Sequence, residues 1–202
     1  MNRLNSFEFK LKQGKATMWA SMVYAFAWSI CKILFGVFSG AYFFCVSGAS
    51  NLLFAFVKKL YLHNFEKDDK TEKQGKSVTI SILMMISGVL FTIYMARLFF
   101  VDDIQQYGLI MSITIATASF VEFGLSIFYV VKASKTTDLL LQSFRGCNLI
   151  SSCYAIVLTQ TALLSATNTQ ANDYNAITGI MFGLISIGIS IIYLINSCKK
   201  KI

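Results

Sequence analysis

Six apolar runs, each near the twenty residues a helix needs to cross a hydrocarbon layer, alternate along the chain with polar segments. They predict membrane-spanning helices near 17–38, 41–61, 77–100, 107–131, 139–166 and 175–197, forming one transmembrane domain over 17–197. A segment at 1–16 precedes it and a basic tail at 198–202 follows. Only Ser39 and Gly40 separate the first two runs, which predicts a tight helical hairpin with Gly36 and Gly40 permitting close approach. The expected fold class is an all-α membrane protein, a six-helix bundle whose first partner is the lipid bilayer.

Composition supports that solvent. Hydrophobic residues make up 55% of the chain and charged residues 14%, too little charge to cover a water-facing surface. There is no proline, so any break in a span must come from glycine. A net charge of +8 would suit nucleic acid if it lay on one face, but it lies between the apolar runs, and no nucleic-acid partner is expected.

The basic residues set the topology instead. Arg3, Lys10, Lys12 and Lys15 precede the first run. Lys58, Lys59, Lys67, Lys70, Lys73 and Lys76 fall between the second and third, Lys132 and Lys135 between the fourth and fifth, and Lys199, Lys200 and Lys201 after the sixth. The alternate connections hold Asp102, Asp103 and Asp173 and no Lys or Arg. By the positive-inside rule the basic side is cytoplasmic, which predicts a multi-pass cell-membrane protein with both termini inside. The first run has no small-residue cleavage site, so a removable signal peptide is not expected.

Soluble catalytic patterns are missing. The one histidine, His63, sits beside Asn64 in a charged loop, and the five cysteines lack metal-ligand spacing, so neither an enzyme, a cofactor nor a metal site is expected. The stretch from Asn64 to Lys76 reads as a solvated connector. Arg97, five residues before Asp102, is placed to snorkel to the outer interface.

Ionisable groups at membrane depth carry the functional signal, because each costs about 2.5–3.5 kcal/mol at mid-bilayer. Glu122 lies near the middle of the fourth run and Arg145 about two turns into the fifth, while Lys32 lies in the first. Helical spacing puts Arg145, Asn148 and Ser152 on one face, and Ser47, Ser50 and Asn51 on another. If these faces meet, they and Glu122 enclose a transport cavity. The simpler alternative is that Glu122 pairs with Arg145, or equally with Lys32, and that the Ser and Asn side chains are interhelical hydrogen-bonding positions.

Several stretches resemble the transmembrane domain of the cation diffusion facilitator family of divalent-metal exporters. Cys31 to Ala41, with Lys32, Gly36, Ser39 and Gly40, is similar to the end of that family's first helix. Gln74-Gly75-Lys76 resembles the start of its third helix, Tyr94 to Leu98 the end of that helix, and Asp173 to Ile177 the start of its sixth. Glu122 falls where many members have Asn. The resemblance implies the same six-helix fold and a homodimer. It places the four metal-ligand positions on Ser50, Phe54, Arg145 and Leu149, none of which offers a carboxylate or imidazole, and the family's cytoplasmic C-terminal domain has no counterpart before Ile202. Arginine donates only and repels a divalent cation.

The expected function is therefore a secondary transporter without the usual metal site, using Glu122 as proton or cation carrier and Arg145 as its counter-charge or as an anion-binding group. The alternative is a non-transporting membrane subunit that keeps the fold and pairs with another membrane protein. A metal exporter with a relocated site on Glu122, Asn51 and Asn148 has only a single carboxylate to offer.

Overall fold

The computed structural model describes residues 19–20, 22–34, 36–38, 42–64, 70–100, 109–135, 138–167 and 172–199. Among these the chain is all helical: α1 (Met22–Phe38), α2 (Tyr42–Asn64), α3 (Lys70–Arg97), α4 (Leu109–Ser134), α5 (Leu139–Ala166) and α6 (Asn172–Lys199). Helices α3, α4, α5 and α6 are each long and apolar enough to cross a membrane, and α1 is a shorter apolar helix. Helix α2 is 23 residues long, but Lys58, Lys59 and its polar C-terminal turn lower its hydropathy.

The packing rule is that of helices in lipid, where the burial of small residues rather than large ones brings backbones together. Helix α6 buries Ala176, Gly179, Gly183, Ser186, Ser190 and Ser197 on one stripe while Met181, Leu184, Ile185 and Ile192 point outward. Helix α3 lies along that stripe, the most extensive pairing in the bundle. A Cβ on Gly183 would collide with the Thr92 side chain, and one on Gly88 would come within 2.9 Å of Ile187. The α1–α2 pair uses the same device at Gly48, where a Cβ would meet Ile33 at 2.6 Å and the Ser29 carbonyl at 3.0 Å. Gly36 is buried, whereas Gly40 and the Ser39-Gly40 turn lie outside the described residues.

Polar contacts fix which helix ends meet. The Ser77 hydroxyl lies 2.6 Å from those of both Ser143 and Ser197, and Gln74 donates to the Ser197 carbonyl at 2.6 Å. Lys73 pairs with Asp138 at 4.0 Å, and the same Asp138 caps α5 by accepting from the Leu141 amide at 3.1 Å. The starts of α3 and α5 and the end of α6 therefore share one end of the bundle. At the other end Ser112, early in α4, donates to the Ala162 carbonyl, and Gln160 donates to that of Tyr174. Lys73, Lys76, Lys135 and Lys199 thus gather at a single end, as the charge pattern requires.

Two local expectations are corrected. Residues 70–76 are the first two turns of α3 rather than connector, and His63 is an exposed residue in the last turn of α2 rather than in a loop. Both follow from hydrogen-bonded turns running past the apolar boundary into water, where polar side chains cost the helix little. Arg97 is the exposed last residue of α3, and the chain leaves the helix there through short turns that end with the Phe100 amide on the Arg97 carbonyl at 2.9 Å.

The position of α4 creates the site. Among the described residues its backbone comes close to that of α5 and not to those of α2, α3 or α6. Helix α2 leans on α3 and α5, so a gap floored by α5 opens between α2 and α4.

Candidate functional site

That gap is a cavity of about 670 Å³ lined by residues of α1, α2, α4 and α5. On α2 the lining stripe is Ser47, Asn51, Phe54 and Lys58, spaced i, i+4, i+7 and i+11, a single straight row on a helix. On α5 it is Asn148, Ser151, Ala155 and Leu158, with Tyr154 beside them, and on α4 it is Thr114, Ala118, Ser119 and Glu122. Helix α1 adds Tyr24, Trp28, Cys31 and Lys32.

The walls are mostly apolar and aromatic. Tyr154 stacks on Phe91 with ring centroids 4.0 Å apart and faces Phe54 at 6.1 Å, forming a column that fixes one wall. Tyr154 itself is buried, with its hydroxyl 3.5 Å from that of Ser87. Opposite, Tyr24 and Trp28 stack one helical turn apart at 6.4 Å, leaving the Trp28 face toward Lys32, whose ammonium lies 5.9 Å from the ring centroid.

Among the described residues, three side chains charged at neutral pH line this space, those of Lys32, Lys58 and Glu122. The Lys32 ammonium donates to the Ser47 hydroxyl at 3.4 Å. Lys58 and Glu122 line the same space from α2 and α4. Glu122 is exposed and lines the cavity from α4.

Of the residues expected to enclose a cavity, Ser47, Asn51, Glu122 and Asn148 line it, together with Lys32. Ser50, Arg145 and Ser152 do not. Arg145 and Ser152 sit roughly 80–100° around α5 from the centre of its lining stripe, and Ser50 sits roughly 70° off the α2 stripe, at about 100° of turn per residue. Ser50 is buried, and Ser152 is buried with its hydroxyl donating to the Leu149 carbonyl at 2.8 Å. The Arg145 guanidinium lies near aromatic rings, 4.4 Å from the Tyr129 centroid and 5.4 Å from that of Phe144. Aromatic faces, not Glu122, accommodate that charge.

Lys58 was missed because it adjoins Lys59 and reads as part of a basic loop, although its i+11 offset from Ser47 and i+7 offset from Asn51 place it on the polar stripe. The aromatic wall gave no signal in the sequence, since Trp28, Phe54 and Tyr154 read as ordinary membrane hydrophobes. Among the described residues no three His, Cys, Asp or Glu side chains gather as metal ligands.

Fold and cavity together define a multi-pass helical membrane protein with a charged, aromatic-walled chamber between its helices. No family model, curated protein or solved structure matches the chain.

Proposed function

We propose that this chain is a secondary transporter that crosses the cell membrane six times, with both termini in the cytoplasm, and passes a small solute through the α1/α2/α4/α5 cavity by alternating access. The observation that carries the reading is the cavity itself. Lys32 and Glu122 would together cost roughly 5–7 kcal/mol if they faced hydrocarbon at mid-bilayer, so a sequence that keeps both at membrane depth needs a polar chamber for them. Glu122 is the carrier group, and Lys32 and Lys58 are its counter-charges in place of Arg145. The resemblance to the cation diffusion facilitators supports six crossings and a homodimer. Metal export is not part of the reading, because two lysines share the chamber with a single carboxylate.

Proton flux in proteoliposomes tests this. Wild-type protein is expected to dissipate an imposed pH gradient, and Glu122→Gln to do so at least ten-fold more slowly while its thermal unfolding in detergent moves little. Unchanged flux in Glu122→Gln would remove it as carrier. A second reading, a non-transporting membrane subunit, is favoured by one feature: among helices α2 to α6 the described backbone of α4 lies close to α5 only, with Ile113, Phe120, Val121 and Leu125 exposed along it. Absence of flux together with stoichiometric co-purification of another membrane protein would establish that reading instead.

A further inference from the structure

Away from the chamber, the outer face of α4 carries a row of its own. Val121, Leu125, Phe128 and Lys132 are exposed at i, i+4, i+7 and i+11, one straight line on the helix that is apolar along its length and cationic at its end. Arg145 of α5 reaches the same level. Its guanidinium lies 4.4 Å from the ring centroid of Tyr129, which adjoins Phe128 and stands one turn from Lys132. Phe144, 5.4 Å from that guanidinium, is stacked on Tyr61 of α2 at 4.5 Å, so aromatic contacts on two sides hold this part of α5 in place.

A guanidinium carries five N–H donors and no acceptor, and ring contacts give those donors no oxygen. Among the described residues no carboxylate or carbonyl oxygen accepts from Arg145. Asp138, seven residues earlier on α5, is engaged by Lys73 at 4.0 Å and by the Leu141 amide at 3.1 Å. We propose that Arg145 and Lys132 hold the phosphate of an acidic phospholipid, in the leaflet at the lysine-rich end, with an acyl chain lying along Phe128, Leu125 and Val121. The inference goes beyond the transporter reading and needs only that α4 and α5 cross a bilayer, for which both are long and apolar enough. The planar guanidinium matches two phosphate oxygens, and Lys132 adds a point charge. The row itself points to a lipid. Lys132 stands in the last turn of α4, and the exposed apolar side chains follow one, two and three turns deeper, as chains follow a headgroup. A soluble phosphate leaves that row unused, and a zwitterionic lipid brings its own ammonium against the two cations.

The test uses the full chain purified in a neutral detergent and offered equal amounts of dioleoyl phosphatidylglycerol and dioleoyl phosphatidylcholine, with the retained lipids counted by native mass spectrometry. Wild-type protein is expected to prefer phosphatidylglycerol. Arg145→Met and Lys132→Gln are each expected to lower that preference about five-fold, the worth of one cation near a membrane surface, and the double variant to abolish it. Lys199→Gln, at the same end of the bundle but on α6, is expected to leave it unchanged. Because Lys132 is exposed, its variant decides the matter should Arg145→Met fail to fold.

Equal retention of the two lipids, or a preference indifferent to Lys132→Gln, overturns the proposal. So does an equal loss in Lys199→Gln, which would reduce the preference to diffuse attraction by lysines. Displacement of the lipid by glycerol phosphate would make this a site for soluble phosphate, and a membrane protein retained in place of lipid would give the row to that partner; either result overturns the lipid site. Proton flux in proteoliposomes is read separately. A lipid preference without flux refutes transport and leaves the lipid site standing, and flux without a lipid preference does the reverse.

Discussion

Arg145 and Lys58 are both cations on helices of the bundle, and their surroundings differ. Arg145 spreads its guanidinium over Tyr129 and Phe144, so its charge is met by ring faces, whereas Lys58 lines the chamber with Glu122. Replacing Arg145 with Met is expected to cost about 1 kcal/mol through the lost stack, with Tyr129→Leu costing a similar amount and the double variant much less than the sum. Proton flux is expected to persist in all three. A ten-fold loss of flux in Arg145→Met would instead return that residue to the cavity. Cys31 offers a second check, because it is the one cysteine among the lining residues while Cys147 and Cys153 are buried. A small methanethiosulfonate reagent is expected to modify Cys31, to slow proton flux, and to have no such effect on Cys31→Ala.

Spacing along single helices was legible in the sequence, and rotation between helices was not. The Ser47 and Asn51 row on α2 follows from periodicity alone, and the same row carried two turns further reaches Lys58. The place of Arg145 depends on how α5 is turned about its axis against α4. That is set by contacts such as Ser126 donating to the Asn148 carbonyl at 3.4 Å, which no one-dimensional pattern encodes. The small-residue stripe of α6 makes a further prediction at this scale. Gly183→Val forces side-chain atoms into Thr92 on α3 and is expected to destabilise the protein by about 1–3 kcal/mol, seen as a lower thermal midpoint in detergent. Gly124→Ala, on the open part of α4 where an added Cβ meets nothing within 4 Å, is expected to leave the midpoint unchanged or raise it slightly. Equal effects at the two sites would mean that α3 and α6 do not pack through that glycine.

For the whole molecule the apolar runs forecast the helices well, because lipid demands internally bonded backbone and leaves helix as the solution. Their ends were less legible, since α3 and α6 continue beyond the hydrocarbon into polar turns at Lys70 and Lys199. The meeting of the α3 and α5 starts with the α6 end puts Cys198 at the lysine-rich end and Asp173, exposed in the first turn of α6, at the opposite one. The positive-inside rule then assigns sides. In an otherwise cysteine-free background, a membrane-impermeant maleimide is expected to reach Cys198 only after permeabilisation, while Asp173→Cys labels in intact cells. The reverse pattern would invert the protein in the membrane. Labelling of both positions from outside would mean that α6 does not cross, and the chamber between α1, α2, α4 and α5 would then have to be understood without a bilayer-spanning α3–α6 pair beside it.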